Sequence, residues 1–428
     1  MFLMHVMTLT QKNRLRLRES DLKLLQQISY HNAKLYNVGL YSVRQHFFQT
    51  GEFLTYSKNY HLCKSNENYS LLLTDNAQQT LKLVERDMHS FFGSLRAKQK
   101  NSQSHVVKLP RYKKNTSPIL IQGRSARIRD GYVLVGFSNA FKATYAPIKK
   151  ELRFKLPKNV EVTQLQELRI LPLFGGQEFE IEFVYHKQLT PPSLDSTRHL
   201  SLDLGLDNIL TSFNSSDGSS FVVDGKYIKS INHRYNKERA RLQSLKDQQG
   251  YRFETRRMFR LSQKRKHRLN DYFNRVAKWV VDYCVKHNLG TLVLGSFSEI
   301  KQNIQLGRVN NQNFVQIPYQ MLIRKLRSQC EQKGVTFFEQ EESYTSKCSF
   351  LDVELVCRHD QYQGRRIHRG LFKTKSGILV NADKNGAANI LRKFLTSNQR
   401  LNELCFERLA KGFVNNPVRV KSLQSSSL

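Results

Sequence analysis

Apolar and polar positions along this chain follow two different periods, and the changes of period divide it. Residues 3–9 alternate loosely, as a first strand would. From Ser20 the spacing turns helical: Leu22, Leu25 and Ile28 share a face, and 31–48 continue as a helix with a polar face. Leu81, Val84, Met88, Phe91 and Phe92 mark another helix. A helical block is expected up to about Leu95, with the polar stretch 98–105 as a loop. After Leu109 the period shortens. Residues 132–137, 168–174 and 179–185 read as strands, and Gly175-Gly176 between the last two is a hairpin signal. Pro191-Pro192 ends this β region.

A second strand region starts at His199, in a run to Leu210 that reads as buried except for its acids. Residues 209–213 and 220–223 look like meander partners joined by the turn 214–218. Residues 226–278 read mostly as helix, with Leu269, Tyr272, Phe273, Val276, Trp279, Val280 and Tyr283 as a core-facing stripe. Asn288-Leu-Gly290 stops that helix, and 291–294 form a short buried strand. Beyond the polar stretch 301–318, Tyr319, Leu322, Ile323, Leu326 and Cys330 give a helix ending near Gly334. Residues 335–338 are another strand, 347–376 a basic insertion, and 377–380 a strand end that delivers Asp383 to a new helix. The tail after Leu395 keeps some helical signal and ends Ser-rich, as disordered sequence does. Strand–strand–strand–helix–strand–helix–strand–helix, with acids on the first strand and before the last helix, is the plan of an RNase H-like fold.

Composition changes the picture in one respect. The 428 residues imply two or three domains, and 39% apolar content suffices for their cores. The formal charge is +34, from 69 Lys+Arg against 35 Asp+Glu, which points to a polyanion such as nucleic acid. Residues 226–278 alone hold 17 Lys+Arg against 4 Asp+Glu. A solvated face is one reading; backbone phosphates are favoured, because such a run repels itself without anions. No stretch reaches the roughly 20 apolar residues of a membrane span. The start is not a convincing signal peptide. Six cysteines without a CxxC pair read as reduced intracellular thiols.

The acids carry the candidate chemistry. Asp383, at a strand–helix junction, either caps the helix or binds a metal beside Asp203 from the first strand. Around these residues the chain resembles the TnpB family, transposon-encoded RNA-guided nucleases related to type V CRISPR effectors. The resemblance covers most of the chain. It rests on Ser201-Leu-Asp-Leu-Gly-Leu-Asp207, Asn311-Gln-Asn-Phe-Val-Gln-Ile-Pro318, Glu342-Ser-Tyr-Thr-Ser-Lys-Cys-Ser-Phe-Leu-Asp352, Arg366-Ile-His-Arg-Gly-Leu-Phe372 and Asn381-Ala-Asp-Lys-Asn-Gly-Ala-Ala-Asn-Ile390. Asn32-Ala-Lys-Leu-Tyr-Asn37, Arg44-Gln45 and Pro110-Arg-Tyr112 fit it too.

The resemblance implies an α/β multidomain protein. A wedge β-barrel spans 1–12 and 106–192, with an inserted helical recognition domain at 13–105. An RNase H-like RuvC nuclease domain follows at 193–400 with the insertion 347–376, and 401–428 is a partly disordered tail. It implies a guide RNA, target double-stranded DNA with an adjacent motif, and a cytoplasmic, nucleoid-associated protein. Arg111, Tyr112, Lys113, Arg256, Arg257, Lys264, Arg265, Lys266 and Arg268 are the expected nucleic-acid contacts. It implies two Mg²⁺ or Mn²⁺ ions about 3.5–4 Å apart, held by Asp203, Asp383 and a third carboxylate. Many relatives carry that third acid after the strand 291–294, where this chain has Gly295-Ser-Phe. Either cutting is lost, leaving a guided DNA-binding protein or repressor, or the acid has moved. Neighbouring strands lie about 4.8 Å apart, so Glu342, just past the strand 335–338, can reach the same edge. It resembles a rearranged acid of some TnpB proteins and Fanzors. Glu339 and Glu341 are less favoured, and Glu299 falls outside the site. A third reading is a guide-independent DNA-binding transposition factor. Most relatives also carry two CxxC pairs in the insertion. Here Cys348, Cys357, His359 and His368 have poor spacing for zinc, and none is expected.

Overall fold

The computed structural model describes residues 5–101, 106–296, 317–400, 404, 409 and 412–420. Glu299, Cys405 and most of the motif 311–318 lie outside the described residues. Contacts divide the chain into two compact units, one within Leu3–Leu189 and one within Thr190–Leu428.

The first unit opens with β1 (His5–Arg14), then α1 (Glu19–Thr50), α2 (Tyr56–Cys63), α3 (Glu67–Ser70) and α4 (Thr74–Asn101). It continues with β2 (Ile119–Gln122), β3 (Arg127–Arg129), β4 (Tyr132–Gly136), α5 (Asn139–Tyr145), β5 (Glu151–Lys155), β6 (Leu165–Leu173) and β7 (Glu178–Leu189). β1 pairs antiparallel with β7, in a sheet ordered β1-β7-β6-β2, and β3-β4-β5 make a second sheet. The first four helices are therefore inserted between two strands of one sheet. Buried Asn32 ties them to it. Its side chain bonds Asn76 and Thr80 of α4, while Asn76 Oδ1 accepts the N–H of Leu120 in β2 at 3.1 Å. Left unpaired, such a buried amide would cost about 1–3 kcal/mol.

The strand expected at 3–9 is longer, with β1 running to Arg14. α4 runs to Asn101, so the stretch from 98 opens as helix rather than loop. Its Arg, Lys and Gln residues are polar yet good helix formers, and polarity alone does not end a helix.

The second unit begins with β8 (Asp195–Leu204), β9 (Asn208–Asn214) and β10 (Phe221–Asp224). α6 (Lys226–Gln248), α7 (Arg256–Lys286), β11 (Leu289–Ser296), α8 (Tyr319–Lys333) and β12 (Thr336–Glu341) follow. Then come β13 (Arg365–His368), β14 (Leu371–Lys373), β15 (Leu379–Asn381), α9 (Ala382–Ser397) and β16 (Val418–Arg419). The main sheet is ordered β12-β11-β8-β9-β10-β16, with β8, β11 and β12 parallel. The run 199–210 is broken after Leu204, where Gly205 turns the chain into β9. The basic stretch 226–278 is two helices, parted near Gly250 (φ 68°). β13-β14-β15 form a small sheet, built mostly from the insertion.

The period of two along β8 and β11 sorts their side chains. Leu200, Leu202, Leu292 and Leu294 pack against α7 and α8. Ser201 and Val293 face the other way; Ser201 Oγ donates to Ala387 O of α9 at 2.6 Å, and Val293 joins the α9 cluster. Asp203 and Gly295, two residues on, share that α9 side. Within the C-terminal tail, residues 412–420 are ordered. Phe413 is fully buried and stacks on Phe350, and β16 pairs parallel with β10.

Candidate active site

Asp203 sits one residue beyond Leu202, which pairs with Leu294 of β11. Gly295 in turn pairs with Gln340 of β12, and Glu342 follows that strand. Three adjacent parallel strands therefore end together. Asp383 reaches the same rim from the first turn of α9. It does not cap that helix. Asn381 does so, its Oδ1 accepting the N–H groups of Asp383 (3.1 Å) and Lys384 (3.0 Å). The Asp383 carboxylate is instead met by Asn208 Nδ2 at 2.9 Å and Arg366 Nη2 at 3.4 Å.

Two glycines make room for the acids. A methyl group on Gly386 would lie 2.9 Å from Asp203 Oδ2. A methyl group on Gly295 would lie 2.7 Å from Glu342 Oε2 and 2.7 Å from Ile390 Cδ1. The Glu342 carboxylate thus occupies the space that a side chain at Gly295 would fill. The neighbouring acids are engaged elsewhere. Glu341 pairs with Lys393 at 2.5 Å and Glu339 with Arg327 at 2.5 Å. Burial opposes ionisation of Glu341, but hydrogen bonds from Lys393 and Ser343 hold it below its ordinary range.

Glu342 is not held down by a cation in this way. Burial, with the charge of Glu341, pushes it up to about 7. Asp203 is raised well above its usual range by burial, then by the charges of Glu342 and Asp383, with Arg366 offsetting part. Three carboxylates gathered so that charge on two opposes ionisation of the third are hard oxygen donors short of positive charge. Their chemistry fits divalent cations such as Mg²⁺ or Mn²⁺.

Several supporting residues carried no obvious signal. Asn385 and Asn389, one helical turn apart on α9, donate to Cys348 O and Thr345 O at 2.7–2.9 Å, clamping the loop after Glu342. Their spacing of four was the available clue. Tyr319, read as core, donates to Gly205 O at 2.7 Å and pins the turn after Asp203. Arg366, His368, Arg369, Asn208 and Arg419 line a groove of about 860 Å³ that opens on Asp383. His368 is therefore apart from the cysteines. Cys348, Glu354 and His359 do gather, their donor atoms within 4.8 Å. Yet Glu354 already accepts from the Ser349 and Gln363 N–H groups, and His359 Nε2 lies 2.7 Å from Leu355 O.

The expected nucleic-acid residues fall in separate places. Arg256, Arg257, Lys264 and Lys266 lie along α7, all four exposed, and Arg268 is half-buried. Arg265 is bonded to Asn232 and set over the Tyr235 ring. In the other unit Arg111 and Tyr112 are exposed, while Lys113 turns inward over Tyr36, 3.9 Å from Asp87.

Comparison with known proteins bears on this geometry. Residues 182–301 match the OrfB_IS605 family, described as a probable transposase, and residues 319–390 match the Cas12f1-like TNB domain. A TnpB-like protein, ORF457 of Acidianus two-tailed virus, is 25% identical over 416 residues, covering 86% of this chain and 83% of that protein. The chain is thus similar to the OrfB_IS605 family and to a TnpB-like protein. In fold, the chain resembles Cas12f1 from a cryo-EM complex with sgRNA and target DNA. The TM-score is 0.60 at 14% identity, over 87% of this chain and 83% of that chain. The mini-RNA-guided endonuclease Cas_phi3 is a weaker match, with a TM-score of 0.49 at 9% identity over 90% of this chain and 92% of that one.

Two outcomes follow from the packed acids. A carboxylate whose folded pKa is raised binds more protons folded than unfolded, so stability is lost as pH rises. In EDTA the denaturation midpoint is expected to fall between pH 5 and about 7 as Glu342 ionises, and Mg²⁺ at pH 8 is expected to restore it; a midpoint flat with pH contradicts this. Gly295→Ala is expected to cost about 1–3 kcal/mol by overpacking and to weaken Mn²⁺ binding in calorimetry. Unchanged Mn²⁺ affinity would show that Glu342 does not need that space.

Proposed function

We propose that this protein is an RNA-guided DNA endonuclease whose RuvC-type, RNase H-like nuclease domain is residues 193–400. The observation that carries the reading is the convergence of Asp203, Glu342 and Asp383 at one rim of the sheet, with Glu342 in the space over Gly295. Similarity to the OrfB_IS605 family and to a TnpB-like protein supports it, as does the fold shared with a Cas12f1 chain solved with sgRNA and target DNA. In this reading residues 1–12 and 106–192 are the wedge domain and 13–105 the recognition domain. A guide RNA pairs with the target strand, and the protein reads backbone shape and a short adjacent motif. The protein then works at the nucleoid of a prokaryotic cytoplasm.

Asp203, Glu342 and Asp383 are the residues that would hold a pair of Mg²⁺ or Mn²⁺ ions. Such ions, when bound, activate a water as nucleophile and stabilise the leaving oxygen of a phosphodiester. The protein's own part is placement. Asn381 takes over helix capping so that Asp383 stays available as a ligand. Asn208 orients Asp383, and Gly386 lets Asp203 approach the helix. Arg366 holds positive charge at the acids. The exposed cations of α6 and α7 supply contacts to phosphates along an RNA–DNA duplex. Binding alone would not require acids gathered so that the charges of Glu342 and Asp383 oppose ionisation of Asp203, which favours a cutting enzyme over a passive repressor.

The test begins with RNA that copurifies with the protein, sequenced to find its variable guide. A matched duplex is expected to be cut with Mg²⁺ and left intact in EDTA. Asp203→Asn, Glu342→Gln and Asp383→Asn are each expected to lower cutting roughly a thousandfold or more, because members of a catalytic unit fail together, with guided binding retained. Full cutting by Glu342→Gln would remove that residue from the site; no guided binding by the wild type would remove the reading.

A further inference from the structure

The C-terminal segment has more structure than a tail needs. Lys384, buried beside Asp383, donates to Gly412 O at 2.8 Å and Asn415 O at 3.1 Å. Phe413 stacks on Phe350 with ring centres 4.9 Å apart and meets Phe213 at 5.6 Å. Val418 N–H and Val420 N–H then bond to Ser220 O and Val222 O, closing the sheet edge at β10. These anchors deliver one charged side chain, Arg419, to the groove that also holds Asn208, Arg366 and Asp383.

We propose that Arg419 binds a phosphate of the DNA strand entering the candidate active site, and that segment 412–420 exists to place it there. The proposal rests on the nuclease reading above. Three arginines line the groove, and each is paired with an acid: Arg366 with Asp383, Arg369 with Asp207, and Arg419 with Asp224. The pairing of Arg419 differs in its consequences. Arg366 is bound to a proposed metal ligand, whereas Asp224 stands outside that set. Asp224 also has a second role, because its Oδ1 accepts the Lys226 N–H at the start of α6 at 2.7 Å. It keeps that bond if Arg419 turns away. The Arg419 side chain is 51% exposed, and surface pairs of this kind hold weakly. A phosphate can therefore take the guanidinium, whose planar fork matches two phosphate oxygens. Asp224 then remains as a nearby negative charge that favours release after the cut.

The test uses full-length protein with its copurified RNA, in EDTA, and a labelled DNA strand complementary to the guide. Single neutral methylphosphonate linkages are placed at successive positions. In the wild type, one linkage near the cut position is expected to weaken binding roughly tenfold, the effect of losing one charged hydrogen bond. Arg419→Ala is expected to lose a similar factor, and that linkage then to make no further difference; Arg419→Lys is expected to recover part of the loss. A chain ending at Asn415 is expected to match Arg419→Ala. Equal melting temperatures for wild type, Arg419→Ala and Arg419→Lys exclude a folding defect. An identical interference pattern in wild type and Arg419→Ala overturns the proposal. Because binding is read without divalent ions, failure to cut bears only on the nuclease reading. Absence of guided binding by the wild type overturns both.

Discussion

Repulsion between carboxylates is the constraint around which the second unit is built. Asp203, Glu342 and Asp383 come from two strand ends and a helix start, and burial raises the cost of charge on Asp203 and Glu342. Nothing in the acids themselves draws them together. Leucines on one face of β8 and β11 and the packing of α9 on the other impose the convergence. Asn385 and Asn389 then fasten the loop behind Glu342. A fold whose packing holds like charges close has kept a place for a counter-charge, and divalent cations are the counter-charge that suits oxygen donors.

Gly295 and Glu342 show how such a site tolerates rearrangement. Both positions lie at the ends of neighbouring parallel strands, and both open on the same space over α9. An acid at either can fill it, but not at both, since even a methyl group on Gly295 meets the Glu342 carboxylate at 2.7 Å. The glycine is thus the structural complement of the glutamate.

Much of this was legible in the residues. Alternation along β8 and the helical stripe of α7 identified the elements that frame the rim, because apolar period reflects burial directly. The position of Glu342 followed from strand order and strand spacing. What stayed hidden depends on contacts far apart in sequence or on single hydrogen bonds. The capping role of Asn381, the clamp by Asn385 and Asn389, and the grip of Tyr319 on Gly205 O have no periodicity to betray them. Lys113 has the composition of a nucleic-acid contact, yet it turns inward over Tyr36, since a lysine stem packs as readily as it solvates. The anchoring of Phe413 escaped notice because local composition says nothing of a partner as distant in the chain as Phe350.

The most direct measurement is anomalous X-ray scattering from crystals of the protein grown with Mn²⁺. Two manganese peaks are expected at the rim, with carboxylate oxygens of Asp203, Glu342 and Asp383 around them. Manganese elsewhere, or Glu342 turned away from an ion bound only by the two aspartates, would contradict the central claim.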